Sequence, residues 1–557
     1  MGHRSALAGL VVAGALAAAA IAADAPPPLT ERERALHVLN RLAFGPRPGD
    51  VDRVVATGVS AWVERQLRPA SIDDRATEAA LAGLPTLAMS NAELVARFET
   101  PLVEARKRLK KDGATGDAAN GDAAERLKDL VPPENRPRKI LEELTEARLV
   151  RAVQSERQLN EVMVDFWMNH FNVDARKGLD RIFIASFERD TIRPRIWGRF
   201  EDLLLATAKS PAMLFYLDNA RSAADAEHRP PAFGRFRAAA AGKGPTGLNE
   251  NYARELLELH TLGVDGGYTQ QDVTELARVL TGWSIALPRG ADAARAGNRG
   301  GRGGRFAAPD AEPGSFLFRE RLHDVGTKTV LGHRFGPNGG MDEGEAALRL
   351  LARHPSTARH LATELCRRLV ADAPPPALVE RVASRYMATG GDLTETVRAI
   401  VTSPEFFDPR TFRAKTKSPF EYAVSAVRAV GGSTDGRALG RQVAEMGEPL
   451  YLCQPPTGYS DASEPWVNSG ALLARLNFAL ALTAGRIPGT AVDGRSLPAE
   501  GGAARGIQDT AFLLLGTDVS EPTTRTIARR MADAAGEAEP RELLAGLLLG
   551  SPEFQRQ

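Results

Sequence analysis

Residues 249–280 read NENYARELLELHTLGVDGGYTQQDVTELARVL, and this stretch predicts the fold class of the chain. Its second half begins at Thr269, and Asp272 follows at the spacing of a helix capping box. Apolar residues then recur at three- and four-residue intervals, at Val273, Leu276, Ala277 and Leu280. Because that interval is the period of an amphipathic helix, the stretch predicts two helices joined by a Gly-containing turn.

The same helical period returns along most of the chain. It is found in residues 34–44, 139–173, 182–189, 197–208, 346–370, 378–386, 394–402, 419–430 and 468–484. Alternating patterns typical of strands do not compete with it, and residues 327–335 are the best candidate for a short hairpin. We therefore expect a mainly α protein, a large multihelical globular domain with long low-complexity surface loops and at most a short β-hairpin.

Three stretches, residues 110–138, 222–247 and 289–314, are predicted to be surface insertions. They are rich in Gly, Ala, Pro and charged residues, and such compositions bury too little apolar surface to offset chain entropy. The predicted organisation is a signal peptide (1–23), an N-terminal helical part (24–287), a Gly/Arg-rich insertion (288–315), a C-terminal helical part (316–490) and a C-terminal helical extension (491–557).

The N-terminus has the pattern of a secretory signal peptide. His3 and Arg4 precede an unbroken apolar run at residues 7–22, and the Ala-Ile-Ala of residues 20–22 has the small-residue pattern of a cleavage site. We expect cleavage near Ala22 or Ala23 and a secreted or periplasmic protein. The alternative is an uncleaved membrane anchor, although the run is near the short end for a span.

The charge balance of the chain gives little information about the class of binding partner. The chain of 557 residues has 71 Lys and Arg against 70 Asp and Glu, which gives no reason to expect nucleic acid or an anionic membrane as a partner.

Cys366 and Cys453 are the two cysteines. In an exported protein they could form a disulfide or remain two buried thiols, and the spacing leaves both readings open.

Histidines cluster with acidic and aromatic residues in three segments. The first reads DFWMNHF (residues 165–171). On a regular helix Asp165 lies about 140° from His170, so the two cannot chelate one metal together. His170 is either a buried structural histidine or a ligand or general base.

The second segment carries Glu255 and His260 on a helix predicted to begin after an Asn249 N-cap. Arg254 lies four residues from both Glu250 and Glu258 and can pair with either. Glu255 is then the carboxylate without an obvious local partner.

The third segment carries His323 and Asp324, which could supply a metal ligand or an acid–base group, while Asp324 could equally cap a turn. Since buried polar groups need partners, we expect Asp165 or Asn169 to meet His170, Glu255, His260 and His323-Asp324 in one region. These candidates are compatible with a divalent metal.

A loop at residues 451–466 is rich in Pro, Gly, Tyr and Asp. Such a loop can line a carbohydrate cleft, or its aromatic residues can pack it onto the helix that follows. Established reaction signatures are missing from the sequence, which has no HExxH, no pair of ExxH motifs, no CxxC, no GxSxG and no Walker A motif.

Five motifs together resemble the bacterial "domain of unknown function 1800" family. They read HVLNRLAFGPRPGDV, MVDFWMNHFNV, NENYARELLELHTLGVDGGYTQQDVTELARVLTGW, HDVGTKTVLG and PPTGYSDASEPWVNSGALLARLNFA, and they span about residues 31–485. The resemblance implies an exported, multihelical protein. It also implies a partner, an exported alkaline-phosphatase-like protein of the "domain of unknown function 1501" family, but it supplies no catalytic residue.

The sequence therefore favours an exported accessory or binding protein of the cell envelope or extracellular space. The alternative is a hydrolase or metal-assisted enzyme that uses a His, Glu and Asp site. Its candidate catalytic residues are Asp165, His170, Glu255, His260, His323 and Asp324.

Overall fold

The computed structural model of the protein describes residues 26–111, 129–225, 227–230, 247–287, 311–494, 503–534 and 540–557. The predicted signal peptide and most of the three predicted insertions lie outside the described residues.

Helices form most of the described chain. In the first half they are α1 (Glu31–Arg41), α2 (Asp50–Thr57), α3 (Val59–Gln66), α4 (Arg75–Leu81), α5 (Asn91–Leu94), α6 (Thr100–Lys111), α7 (Arg138–Gln154), α8 (Gln158–His170), α9 (Asp180–Ser186), α10 (Phe200–Ala208), α11 (Pro211–Tyr216), α12 (Asn251–Glu258) and α13 (Gln270–Val279). In the second half they are α14 (Gly340–Ala352), α15 (Pro355–Leu369), α16 (Pro376–Ala388), α17 (Leu393–Val401), α18 (Pro419–Ala429), α19 (Arg437–Glu445), α20 (Ser469–Thr483), α21 (Ala503–Leu515), α22 (Glu521–Asp533) and α23 (Pro540–Leu549).

The strands are short and antiparallel. β3 (Lys328–Val330) pairs with β4 (His333–Phe335), which confirms the predicted hairpin. Two further pairs join segments that are distant in sequence: β1 (Trp283–Ile285) with β2 (Phe316–Phe318), and β5 (Ser433–Thr434) with β6 (Thr490–Ala491). The mainly α class is confirmed.

One large hydrophobic cluster holds the helices together, and its members run from Ala35 to Phe554. Trp167 of α8 and Trp283 of β1 are fully buried in it. The two chain ends therefore contribute to the same core, and α8 crosses its interior. That position explains why α8 carries apolar residues on most of its surface.

The helix boundaries follow local chemistry. The capping box of Thr269 and Asp272 is present at the start of α13, as predicted. Asn249 is not an N-cap, because α12 begins one residue later than expected and its N-cap position is Glu250. The Asn249 side chain instead accepts a hydrogen bond from the Asn251 N–H at 2.9 Å, which turns the chain into the helix.

No helix among the described residues is long and apolar enough to span a bilayer. Cys366 and Cys453 are both free and buried.

Candidate functional site

A small polar pocket lies beside the second half of α8. Its lining includes Asp165 and Asn169 from α8, Arg148 from α7, Arg368 from α15 and the loop after α19. We call it the Asp165 pocket. Its volume is about 40 Å³, room for a few water-sized groups.

Asp165 is held between two arginines. One carboxylate oxygen contacts the guanidinium group of Arg148, and the other accepts a hydrogen bond from Arg368 at 2.8 Å. All three side chains are largely buried, with exposed fractions of 10–13%. A buried carboxylate with two charge-assisted partners is fixed in position, so Asp165 is the structural centre of the pocket.

The network continues from both arginines. Arg368 also contacts Glu421 at 3.0 Å and Asp461 at 3.3 Å. Arg148 lies over the ring of Tyr451, with 5.0 Å from the guanidinium carbon to the ring centre. The network of ion pairs contains the carboxyl groups of Asp165, Glu421 and Asp461 and the guanidinium groups of Arg148 and Arg368. The carboxyl groups outnumber the guanidinium groups, so the network carries surplus negative charge when all of its carboxyl groups are ionised.

Tyr451 has a backbone conformation that is rare for a bulky residue, with a φ of 62°. Its hydroxyl donates a hydrogen bond to Glu188 at 2.5 Å, and its carbonyl accepts one from the Ala175 N–H at 2.9 Å. The guanidinium groups of Arg193 and Arg148 overcome the effect of burial and hold the pKa of Glu188 at about 2. A backbone held in this way against its preference is a feature often found at functional sites.

Two carboxyl groups of the pocket titrate near neutrality. Burial, reinforced by the charge of Asp165, raises the pKa of Glu448 to about 7. Burial also raises the pKa of Asp461 to about 6, although Arg368 and Lys415 oppose the shift. Glu448 accepts a hydrogen bond from the Phe420 N–H at 2.8 Å and has no ion pair within the described part of the chain. Such perturbed groups in a pocket mark a candidate functional site.

The raised pKa of Glu448 predicts a specific pH dependence of stability. The neutral carboxyl is favoured in the folded state, so its contribution is complete below the unfolded pKa of 4.5 and is lost as the pH rises through about 7. Replacing Glu448 by Gln removes this loss. Between pH 5 and pH 8 the wild type should lose about 3 kcal/mol more unfolding free energy than Glu448→Gln, from about 1.4 kcal/mol per pKa unit.

Urea unfolding of both proteins at the two pH values measures that difference. Groups common to both proteins, including the buried histidines, cancel in the comparison. Parallel pH profiles for the wild type and Glu448→Gln would show that this carboxyl is ionised in the folded protein at pH 5.

A group of three histidines lies on the other side of α8, formed by His170, His260 and His360 with Glu364; we call it the histidine group. His170 contacts Glu364 through Nδ1 at 2.7 Å and the carbonyl of His260 through Nε2 at 3.3 Å. The ring of His170 lies 6.0 Å from that of His260 and 6.3 Å from that of His360.

The histidine group is buried at His170 and His260 and partly exposed at His360 and Glu364. Burial, together with the charges of His170 and His360, lowers the pKa of His260 well below its ordinary value. His360 contacts the carbonyl of Leu259 at 2.9 Å through Nε2. Among the described residues, no group of three or more His, Cys, Asp or Glu side chains is arranged to hold a metal ion.

His323 and Asp324 belong to a different buried cluster. His323 contacts Glu343 through Nε2 at 2.9 Å and the carbonyl of Thr281 through Nδ1 at 2.8 Å. Asp324 accepts two hydrogen bonds from Arg278, at 2.9 and 3.1 Å. It also accepts the Gly326 N–H at 2.8 Å, so Asp324 caps a turn. Lys328 completes this Lys328 cluster by contacting Glu343 at 2.5 Å.

Glu255 has no hydrogen bond or ion pair through its carboxylate to any described residue. Its half-buried position, together with the charge of Glu258, raises its pKa. Arg254 pairs with Glu250 at 3.2 Å, one of the two expected partners, while Glu258 accepts a hydrogen bond from Tyr268 at 3.3 Å.

The six candidate residues therefore do not share one set of contacts. The structure brings His170 and His260 together and places Asp165 and Asn169 at the pocket. His323 and Asp324 find all their described partners within the Lys328 cluster. Asp165 and His170 are nevertheless connected, because both contact α15, through Arg368 and Glu364 respectively.

Several residues of the site could not be identified from sequence motifs. His360, Glu364 and Arg368 occur every four residues on α15, which places them on one face of that helix. This polar stripe is the signal that could have identified them. Arg148, Glu448 and Asp461 carry no such local signal, because each is defined by tertiary contacts alone.

The loop at residues 451–466 packs on itself and on α8, and it contributes to the lining of the pocket. Trp466 donates a hydrogen bond from its indole to the Ser460 carbonyl at 2.9 Å, and its ring lies 6.0 Å from that of Tyr459, which packs the loop upon itself. Asn169 accepts a hydrogen bond from the Tyr459 N–H and donates one to the Tyr459 carbonyl, both at 2.7 Å. The same loop supplies Tyr459 and Asp461 to the pocket lining.

The fold and the pocket define a mainly α protein with a buried network of ion pairs beside a small acidic pocket. The chain belongs to the family described as "Protein of unknown function (DUF1800)", whose family model matches residues 37–556. The match extends beyond the motifs noted above and includes the C-terminal helices. Neither a curated protein nor a solved structure matches the chain.

Proposed function

We propose that the protein is an exported binding protein of the cell envelope or extracellular space that holds a small cationic ligand in the Asp165 pocket. The observation that carries the proposal is the surplus of carboxyl groups around this pocket. Asp165, Glu421, Glu448 and Asp461 face the guanidinium groups of Arg148 and Arg368.

The free hydrogen-bonding capacity of the pocket favours a ligand that donates hydrogen bonds. One donor of Arg148 and two of Arg368 are directed at carboxylates, and both polar atoms of the Asn169 amide are engaged by Tyr459. Glu448 accepts hydrogen bonds from the Phe420 N–H and from Ser418, and Asp461 accepts one from Arg368, but each carboxylate keeps lone pairs for a ligand. An ammonium group matches them, because it donates up to three hydrogen bonds and neutralises the charge that burial disfavours.

Ethanolamine is a suitable probe, and ethylene glycol is its neutral control of nearly the same size. Calorimetric titration of the folded protein at pH 7 should detect ethanolamine binding and no comparable binding of ethylene glycol. Glu448→Gln and Asp461→Asn should each weaken binding roughly tenfold, which corresponds to about 1.4 kcal/mol for one lost charge-assisted contact. Equal affinity in both variants and the wild type would refute the assignment of this pocket.

Export is supported by the apolar run at residues 7–22 and by the small residues that follow it. We expect the protein recovered from the periplasm or medium to begin at or just after residue 23. N-terminal sequencing of that fraction tests this. A mature protein that begins at Met1, or that stays in the cytoplasmic fraction, would contradict export without affecting the pocket.

The family resemblance adds an exported alkaline-phosphatase-like protein as a proposed partner. Affinity purification of the exported protein from a strain that expresses both would test the association. Recovery of this chain alone, under conditions that preserve its fold, would remove the partner from the proposal.

A hydrolase is the second candidate function, and the raised pKa values of Glu448 and Asp461 favour it. Two carboxyl groups that titrate near neutrality in one pocket can act as a general acid and a general base. Turnover of a panel of glycosides and esters, abolished by Glu448→Gln at constant ligand affinity, would favour the hydrolase. Absence of turnover with binding intact would favour the binding protein.

A further inference from the structure

A second, smaller cleft lies where distant parts of the chain meet. Asn40 reaches it from α1, Arg413 and Lys417 from the segment before α18, and Phe554 and Arg556 from the C-terminal end. We call it the cationic cleft. Its volume is about 10 Å³, room for one water-sized group.

The lining of this cleft carries three basic side chains, those of Arg413, Lys417 and Arg556, and contains no carboxylate. The neighbouring carboxylates are engaged elsewhere. Glu421 contacts Arg368 at 3.0 Å, and Glu553 accepts hydrogen bonds from the Ser520 N–H at 3.0 Å and the Thr523 hydroxyl at 2.9 Å. No carboxylate of the described residues forms an ion pair with Arg413, Lys417 or Arg556, although the charges of Glu553 and Glu421 partly offset the effect of burial on the pKa of Arg413 and Lys417.

Lys417 is the most unusual member of the lining. Its exposed fraction is 3%, and its ammonium group donates one hydrogen bond, to the Ser425 hydroxyl at 2.8 Å. It also lies 3.8 Å from the ring centre of Phe554. An ammonium group has three N–H donors, so two remain without a hydrogen-bond acceptor among the described residues. Burial, reinforced by the charge of Arg413, lowers the pKa of Lys417 well below its ordinary value.

Two further groups of the lining lack hydrogen-bond partners within the described part of the chain. The Nε atom of Arg413 is buried without an acceptor, and the residue has a left-handed backbone with a φ of 54°. The Asn40 side chain is 6% exposed and makes no hydrogen bond to a described residue. Buried donors that stay unsatisfied destabilise a protein, so the meeting of Lys417 Nζ and Arg413 Nε at one cleft indicates a missing acceptor.

The Lys417–Ser425 contact also resembles a nucleophile with its general base, but the geometry excludes that role. Ser425 is 2% exposed, and a Cβ atom added to Gly45 would lie 2.6 Å from its hydroxyl oxygen. Gly45 therefore packs closely against one side of Ser425, and the cleft on the other side has room for only one water-sized group, too little for a substrate carbonyl to approach the hydroxyl.

We infer that the cationic cleft binds a small inorganic anion, which accepts hydrogen bonds from Lys417 and Arg413 and lies beneath Arg556 at the mouth. The size of the cleft admits a chloride ion or one oxygen of a sulfate or phosphate. A bound anion offsets positive charge in the cleft. It also links α1, the segment before α18 and the C-terminal end of the chain. We therefore expect binding to stabilise the whole chain by mass action.

Thermal unfolding of the full chain tests the inference, with sodium chloride, sulfate and phosphate as probes and sodium gluconate at matched ionic strength as the bulky control. The melting temperature should rise by a few degrees in a saturable manner with at least one of the small anions, and not with gluconate. Arg413→Gln and Arg556→Gln should each weaken the apparent affinity roughly tenfold, the equivalent of about 1.4 kcal/mol. Arg410→Gln is the matched control, because Arg410 is exposed and pairs with Asp408.

Anion-specific stabilisation that is unchanged in Arg413→Gln and Arg556→Gln would overturn the site, as would an equal effect of gluconate. A crystal soaked in bromide provides a readout that does not depend on stability. Anomalous scattering within hydrogen-bond distance of Lys417 Nζ is expected, and its absence at saturating bromide would contradict the inference.

Discussion

Asp165→Asn is expected to lower the free energy of unfolding by about 3–5 kcal/mol, the usual effect of removing one partner from a buried ion pair. The substitution preserves the shape of the side chain but leaves Arg148 and Arg368 without their shared counter-charge. Both arginines are about nine-tenths buried, so the few water molecules that the pocket can hold replace the lost carboxylate only in part. Chemical denaturation at pH 7 measures the change.

Asp52→Asn is the matched control for that experiment. Asp52 pairs with Arg32 at the surface, with exposed fractions of 71% and 37%, and loss of such a pair should change stability by less than about 1 kcal/mol. If Asp165→Asn were no more destabilising than Asp52→Asn, the network would not be the rigid support of the pocket that the contacts indicate.

Glu343→Gln should destabilise the fold by a similar amount, about 3–5 kcal/mol, through the Lys328 cluster. Glu343 contacts both Lys328 and His323, and the Lys328 side chain is fully buried. Removing the negative charge leaves the ammonium group of Lys328 with a poorer partner in the interior. The double variant Lys328→Met with Glu343→Leu should lose less stability than the single variant, because apolar side chains of similar size avoid the unpaired charge.

A control variant and a control measurement accompany the Glu343→Gln experiment. Glu345→Gln, on the same helix but paired with the half-buried Lys209, should cost about 1 kcal/mol or less. Ethanolamine affinity should be unchanged in Glu343→Gln at a temperature where the variant is folded. A stable Glu343→Gln protein that had lost ethanolamine binding would place the Lys328 cluster in the functional site instead of the scaffold.

Much of the fold could be predicted from local sequence. The period of residues 273–280 and the capping box of Thr269 identify α13, and the pattern at residues 327–335 identifies the β3–β4 hairpin. These features depend on neighbours in the chain. The β1–β2 and β5–β6 pairs could not be predicted, because each pair joins short segments that carry no pattern of their own.

The candidate site was harder to predict, for a physical reason. Local patterns singled out Asp165, His170 and His260 as candidate site residues, but not which of them would meet. Asp165 and His170 lie about 140° apart around α8, so their side chains face different neighbours. Their surroundings are connected through α15, which carries Arg368 and Glu364. His323 and Asp324 do not share contacts with the other candidates, since Arg278, Thr281 and Glu343 contact them in a separate cluster.

Proton release on ligand binding at pH 7 is the most direct test of the central claim, that the Asp165 pocket receives a cation on carboxyl groups that titrate near neutrality. A bound ammonium group favours the ionised form of Glu448. With a pKa of about 7, this carboxyl is about half protonated at that pH and should release about half a proton per ethanolamine bound. Calorimetric titration in two buffers with different ionisation enthalpies measures this number. The account predicts release in the wild type and a marked reduction in Glu448→Gln, whereas binding without proton release, or with equal release in the variant, would contradict it.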